Sequence, residues 1–149
     1  MMQVGEAGLA LIRQFEGLAL TPYRCPAGLL TIGYGHVLRG PVLPSITPTQ
    51  AEELLLQDAA IAAHAVRHLL PVALQPYQFD ALVSFTFNLG SGALQRSTLR
   101  RRILEGQHAA VPTELMRWVH ANGRKLPGLI RRRAAEAALY QGFSAGHVS

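Results

Sequence analysis

A chain of 149 residues, 49% hydrophobic and only 15% charged, is long enough to bury its own core and too apolar to be disordered. Fourteen Lys and Arg against nine Asp and Glu leave a net charge of +5, which favours acidic partners such as nucleic acid, anionic lipid or cell-wall polymer. The single cysteine excludes an internal disulfide, and no paired metal-ligand motif or nucleic-acid-binding motif is present. No metal, no cofactor and no nucleic-acid partner is therefore expected.

The N-terminus, MMQVGEAGLALIRQFEG, has neither the apolar run of a membrane anchor nor the order of a signal peptide, so synthesis in the cytoplasm is expected. Leu9, Ile12 and Phe15 recur at steps of three, with Leu11 four before Phe15, which predicts an amphipathic helix over residues 4–16 stopped by Gly17. Residues 21–46 carry four prolines and four glycines around β-favouring runs such as LLTIGYG, the composition of a small hairpin region. Thr47, Pro48 and Gln50 form a capping box that opens a helix over Pro48 to Leu69. After Pro71 and Pro76, YQFDALVSFTFNLGSG predicts an apolar helix ended by glycines. Further helices are expected at Leu94 to Leu104, Thr113 to His120 and Leu129 to Tyr140.

The result is an α+β chain of one domain. A small β-containing lobe (about 17–47) is joined by a long helix to a helical lobe (about 70–149, with helix 4–16), leaving a cleft where ligand sites tend to lie.

Four residues near that junction could carry chemistry. Glu16 ends an apolar helix, where the dipole disfavours a charged carboxylate and favours the protonated form of a general acid; the alternative is an ordinary solvated glutamate. Cys25 is either a small buried hydrophobe or an accessible thiol able to take a proton from water or attack carbon. Thr31 either holds a water or simply favours a strand. His36 closes GYGH as a structural hydrogen-bonder or a titrating group, and GYG lacks the features of a phosphate loop.

EGLALTPYRCPAGLLTIGYGH, residues 16–36, resembles the active-site region of the phage-type lysozymes, the endolysins of glycoside hydrolase family 24. QFDALVSFTFNLGSGALQRSTLRRRI (78–103) and the span from Trp118 to Tyr140 resemble that family's second and third blocks, so the likeness covers nearly the whole chain. The resemblance implies a lysozyme-like fold and cleavage of bacterial peptidoglycan between N-acetylmuramic acid and N-acetylglucosamine. It places the catalytic positions on Glu16, Cys25 and Thr31, with Cys25 standing where the better-known members carry aspartate.

Chemically, Glu16 would protonate the leaving oxygen. Cys25 and Thr31 would place or deprotonate the attacking water, or Cys25 would itself attack. Arg132 or Arg133 would reach the cleft to hold Glu16 or a substrate group, against the alternative of a solvated basic helix face. His36, Asn88 and Trp118, with Phe87, are candidate substrate-binding residues, although an aromatic at helical spacing is more often core. A monomer is expected, kept in the host cytoplasm until the membrane opens and then acting on the wall. The competing reading is a non-enzymatic wall-binding or membrane-disrupting module, with the basic run Leu129 to Tyr140 contacting anionic lipid.

Overall fold

The structure, a computed structural model, describes residues 1–143; the end of the expected helical lobe, 144–149, lies outside the described residues. Helix α1 (Glu6–Glu16) buries Leu9, Leu11 and Ile12 and ends at Gly17, whose φ of 71° only glycine adopts without strain and whose N–H donates to the Arg13 carbonyl at 3.0 Å. An antiparallel sheet follows in the order β1 (Ala19–Arg24), β2 (Leu30–Gly33), β3 (His36–Val37). It is the hairpin region the prolines and glycines announced.

The long helix α2 (Pro48–Leu69) starts where its cap predicts. Thr47 Oγ1 accepts the Gln50 N–H at 3.1 Å, and Gln50 Oε1 accepts the Thr47 N–H at 2.9 Å. One helix serves two cores: Ala51 packs with Ile32 and Ile46 beneath the sheet, while Leu55, Ala59, Ala63 and Val66 face the helical lobe. Helix α3 (Pro76–Leu89) is buried from Phe79 to Thr86 on every side, packed by α1, α2, α4 (Ser91–Arg96) and α7 (Pro127–Tyr140). An apolar helix without a polar face belongs at the centre of a bundle.

Two expectations need correction. The single helix expected at Leu94 to Leu104 is two, α4 and α5 (Thr98–Leu104), because the Ser97 hydroxyl donates to the Leu94 carbonyl at 2.8 Å and accepts the Arg100 N–H at 2.9 Å. One side chain closes the first helix and caps the second. The helix expected at Thr113 to His120 is the short α6 (Val111–Leu115), after a 3₁₀ turn at His108–Ala110, and His120 belongs to a hairpin, β4 (His120–Ala121) with β5 (Arg124–Lys125). Asn122 and Gly123, at φ 53° and 76°, turn that hairpin, and Asn-Gly is the sequence signal for it.

The position of α1 depends on a residue far away in sequence. Gly5 offers no side chain to cap the helix, and the Asp80 carboxylate of α3 takes the Gly5 N–H at 2.9 Å and the Gly8 N–H at 3.1 Å. Burial pushes the Asp80 carboxyl up, and these two N–H groups oppose it. A Cβ on Gly8 would stand 3.0 Å from the Asp80 Cβ, so the glycine is what lets the carboxylate approach. Asp80→Ala is expected to cost roughly 2–3 kcal/mol by leaving two helix N-terminal donors unpaired, read as a lower urea midpoint with an unchanged slope.

Candidate active site

Glu16 is the last residue of α1, and the turn between β2 and β3 closes over it. Gly35, at φ 74°, comes so near that a Cβ there would stand 2.4 Å from Glu16 Oε1. The turn therefore needs glycine twice, for its backbone angle and for the carboxylate. Gly35→Ala is expected to displace Glu16 and, for Glu16 as the general acid that the family resemblance implies, to slow turnover about tenfold, the equivalent of ~1.4 kcal/mol at the barrier. A cell-wall clearing assay on the folded variant measures this.

Cys25 opens a four-residue turn, Cys25-Pro26-Ala27-Gly28, closed by the Gly28 N–H on the Cys25 carbonyl at 2.8 Å. Proline at the second position suits such a turn. The register pairs Tyr23 with Thr31 and Arg24 with Leu30, so Tyr23, Cys25 and Thr31 share one face of the hairpin and Cys25 is the diagonal neighbour of Thr31. The Leu29 N–H above all, with the Ala27 N–H and the Thr31 hydroxyl, holds the Cys25 thiol below its ordinary pKa, against a smaller desolvation. Thr31 is almost wholly buried and its hydroxyl donates to the Leu29 carbonyl at 2.9 Å. Its one proton can serve that carbonyl or the Cys25 sulfur, and its lone pairs stay available to an incoming donor.

Tyr23 links the two sides of the site. Burial pushes its hydroxyl pKa up, and the charges of Glu16 and Cys25 add to that push. The helix end and the hairpin face therefore act on one another electrostatically.

Behind Glu16 lies a buried ionic cluster from α7 and α3. Arg132 Nη1 meets Glu16 Oε2 at 2.5 Å, Arg132 Nη2 donates to the Ser84 carbonyl at 3.2 Å, and Arg132 Nε faces Glu136 Oε2 at 3.4 Å. Arg133 Nη2 reaches Asn88 Oδ1 at 2.8 Å and Glu136 Oε2 at 3.1 Å. Arg133 Nε lies 2.7 Å from Glu136 Oε1, a charge contact whose angle does not make a hydrogen bond. The Ser84 hydroxyl donates to Glu136 Oε2 at 2.6 Å. Burial pushes the Glu136 carboxyl up and the Arg133 guanidinium down, and their mutual attraction opposes both. Every polar contact of Glu136 is a donor, so the geometry suits the ionised carboxylate.

Arg132 and Arg133, expected as either cleft residues or a solvated basic face, are thus buried, at 3% and 0% exposure. Of the three consecutive arginines of α7 only Arg131 is exposed. A basic helix face for anionic lipid loses two of its three arginines by this burial.

Among the described residues, one hollow is lined by Gly35 of the turn that borders Glu16 and another by Glu16 itself. One of about 770 Å³ lies between the β2–β3 turn and helices α2 and α3, lined among others by Gly35, His36, Asp58, His64 and Phe87. The other, of about 510 Å³, is lined by Glu16, Asn88, Arg131, Arg132 and the start of α7. His36 Nδ1 meets Asp58 Oδ2 of α2 at 2.7 Å, which ties the sheet to the long helix at the edge of the first hollow. Trp118 stands apart from both linings, edge-on to Phe85 at 5.6 Å between ring centres and beneath Arg96, so its place is the packing of the helical lobe.

The structure thus brings Glu16, Arg132, Arg133 and Asn88 together, and sets Cys25 and Thr31 on the hairpin face they share with Tyr23. Sequence reasoning missed Gly35, Tyr23, Ser84, Asp58 and Glu136. The signal for Glu136 was available, since a carboxylate three and four residues after two arginines on a helix can pair with both.

An α+β fold in which a small sheet and a helical lobe share one long helix, with a carboxylate held between an arginine of α7 and the β2–β3 turn, is that of a lysozyme-like hydrolase. The sequence model of the phage lysozyme family matches residues 13–136, and the chain belongs to that family. It is 40% identical over 144 residues to the endolysin of Acyrthosiphon pisum secondary endosymbiont phage 1, covering 94% of this chain and 99% of that one. Among solved structures it is similar to the endolysin from Escherichia coli O157:H7 phage FAHEc1, with a TM-score of 0.85, 38% identity and coverage of 95% and 94% of the two chains. It is also similar to the muramidase domain of SpmX from Asticaccaulis excentricus, with a TM-score of 0.86, 37% identity and coverage of 94% and 98%. The protein is accordingly a peptidoglycan-hydrolysing lysozyme.

Proposed function

We propose that the protein is an endolysin that hydrolyses the β-1,4 bond between N-acetylmuramic acid and N-acetylglucosamine, with Glu16 as general acid and Cys25 with Thr31 managing the water. The observation that carries this reading is the setting of Glu16, held by Arg132 and bordered by the Gly35 turn, with Tyr23, on the same hairpin face as Cys25 and Thr31, near enough to feel the charges of both Glu16 and Cys25. A water between Cys25 and Thr31 would hydrogen-bond through one O–H to Thr31 Oγ1, keeping that proton for the new anomeric hydroxyl, and transfer its other proton to the Cys25 thiolate as its free lone pair attacks the anomeric carbon. As that bond forms, the glycosidic C–O bond breaks and its oxygen takes the Glu16 proton. Cys25 ends protonated and Glu16 ionised, and solvent restores both.

Asn88 and His36 line the hollows beside Glu16 and are read as contacts for flanking sugar units, with Arg133 holding Asn88 in place. The relatives named endolysin support an action on the cell wall, and the timing we infer places that action after the inner membrane has opened. The net charge of +5 would concentrate such an enzyme on a polyanionic wall as a monomer.

Mass spectrometry of purified peptidoglycan digested by the wild type tests the bond and the reaction type together. New reducing N-acetylmuramic acid ends are expected. New ends carrying a 1,6-anhydro ring would reassign the enzyme to lytic transglycosylase chemistry, and reducing N-acetylglucosamine ends would reassign the bond.

A further inference from the structure

We propose that Glu136 is a positioning residue for Glu16, acting through the shared guanidinium of Arg132. This deepens the reading of Glu16 as general acid and rests on it. Glu136 has no exposure at all and touches no hollow lining, so it cannot meet substrate. Its Oε2 faces the Nε edge of Arg132, while the Nη1 end of the same guanidinium holds Glu16. A planar guanidinium fixed along one edge presents the other at a set place and angle.

The charge balance gives the second part of the argument. Two buried guanidiniums, Arg132 and Arg133, stand against two carboxylates, Glu136 and Glu16, so the cluster is neutral when Glu16 is ionised and carries one positive charge when Glu16 holds the proton it must donate. Without the charge of Glu136 those values become one and two. Holding the Glu16 proton then means keeping two unbalanced cations in a poorly solvated place. The groups facing Glu136 are Arg132 and Arg133 of its own helix and, from α3, the Ser84 hydroxyl; α1 contributes Glu16 beyond Arg132. Glu16 in turn faces Arg132, Arg133 and, from the hairpin, Tyr23.

Sequence spacing makes the arrangement intelligible. Arg132, Arg133 and Glu136 lie within one turn of α7, so a single helix carries both the cation that reaches Glu16 and the anion that holds it. Ser84, from the most buried stretch of α3, donates to Glu136 and so fixes the far end of the relay.

The test compares the pH dependence of peptidoglycan hydrolysis in three folded variants, checked by urea unfolding. Glu136→Gln removes an anion, so its alkaline limb should move down by about one pH unit or more, with activity at neutral pH reduced at least tenfold and most of the loss in kcat rather than KM. Arg133→Met removes a cation, so its alkaline limb should move the other way. Ser84→Ala loosens Glu136 without changing any charge, so it should lower stability and kcat while its alkaline limb moves less than that of either charge variant. Opposite displacements have no explanation in a merely structural role, and if only one charge variant folds its direction alone decides. A folded Glu136→Gln or Arg133→Met whose profile overlays the wild type overturns the proposal. Glu16→Gln, assayed in parallel, separates this from a failure of the catalytic assignment: if that variant is active, the fault lies with Glu16 itself.

Discussion

Glu16→Gln should fold as the wild type does and lose peptidoglycan-clearing activity by roughly 10²–10⁴-fold, the range expected for removing a positioned general acid. The amide keeps the shape of the side chain and can still accept from Arg132 Nη1, so the cluster behind it need not rearrange. It has no acidic proton to give the leaving oxygen. The loss should appear in kcat at every pH, because no protonation state of the amide replaces the acid. Clearing of purified walls by a matched amount of folded variant reads it, and a wild-type rate would remove Glu16 from the reaction.

The second large effect concerns Cys25. A free thiol titrates near ~8.5, but the Leu29 and Ala27 N–H groups and the Thr31 hydroxyl hold this one lower, so its thiolate is available at a lower pH than an unassisted cysteine allows. If the thiolate is the base, activity rises as pH rises through the Cys25 titration. The sign follows from the direction of the shift: a lowered value puts this acid limb below the ordinary cysteine range. Cys25→Ser has no group that ionises in this range and should lose activity on the order of 10²-fold or more, the contribution of a general base. Cys25→Asp should retain much activity and move the acid limb into the carboxylate range. Thr31→Val should push the limb of the wild-type cysteine back up by removing one of its donors. A small alkylating reagent should inactivate wild type and spare Cys25→Asp. Wild-type rates in Cys25→Ser would leave Cys25 as a packing residue.

Local features of the chain were legible where one segment decides its own structure. The Thr47–Gln50 cap, the glycine stop at Gly17 and the proline-and-glycine hairpin region all form where the sequence indicates. Readings failed where a short polar signal outweighed an apolar run. Ser97 breaks Leu94 to Leu104 into two helices, and Asn122-Gly123 turns a hairpin after α6. Both signals stand in the sequence, but helical spacing of the neighbouring apolar residues conceals them.

By itself the sequence determined the α+β class, the first helix with its glycine stop, the hairpin region and the capped long helix, because each depends on residues close together in the chain; the roles proposed for Glu16, Cys25 and Thr31 rest on the family resemblance of that same short span. Only the tertiary structure decided what surrounds those residues. Asp80 lies 75 residues from the Gly5 it caps, and Arg132 lies 116 residues from the Glu16 it holds. Periodicity could not tell whether Arg132 and Arg133 faced water or core, since a basic run on a helix reads the same either way until a buried carboxylate is found opposite it. Glu136 settles that, and it does so because a guanidinium can leave water only where an anion and hydrogen-bond acceptors replace its hydration.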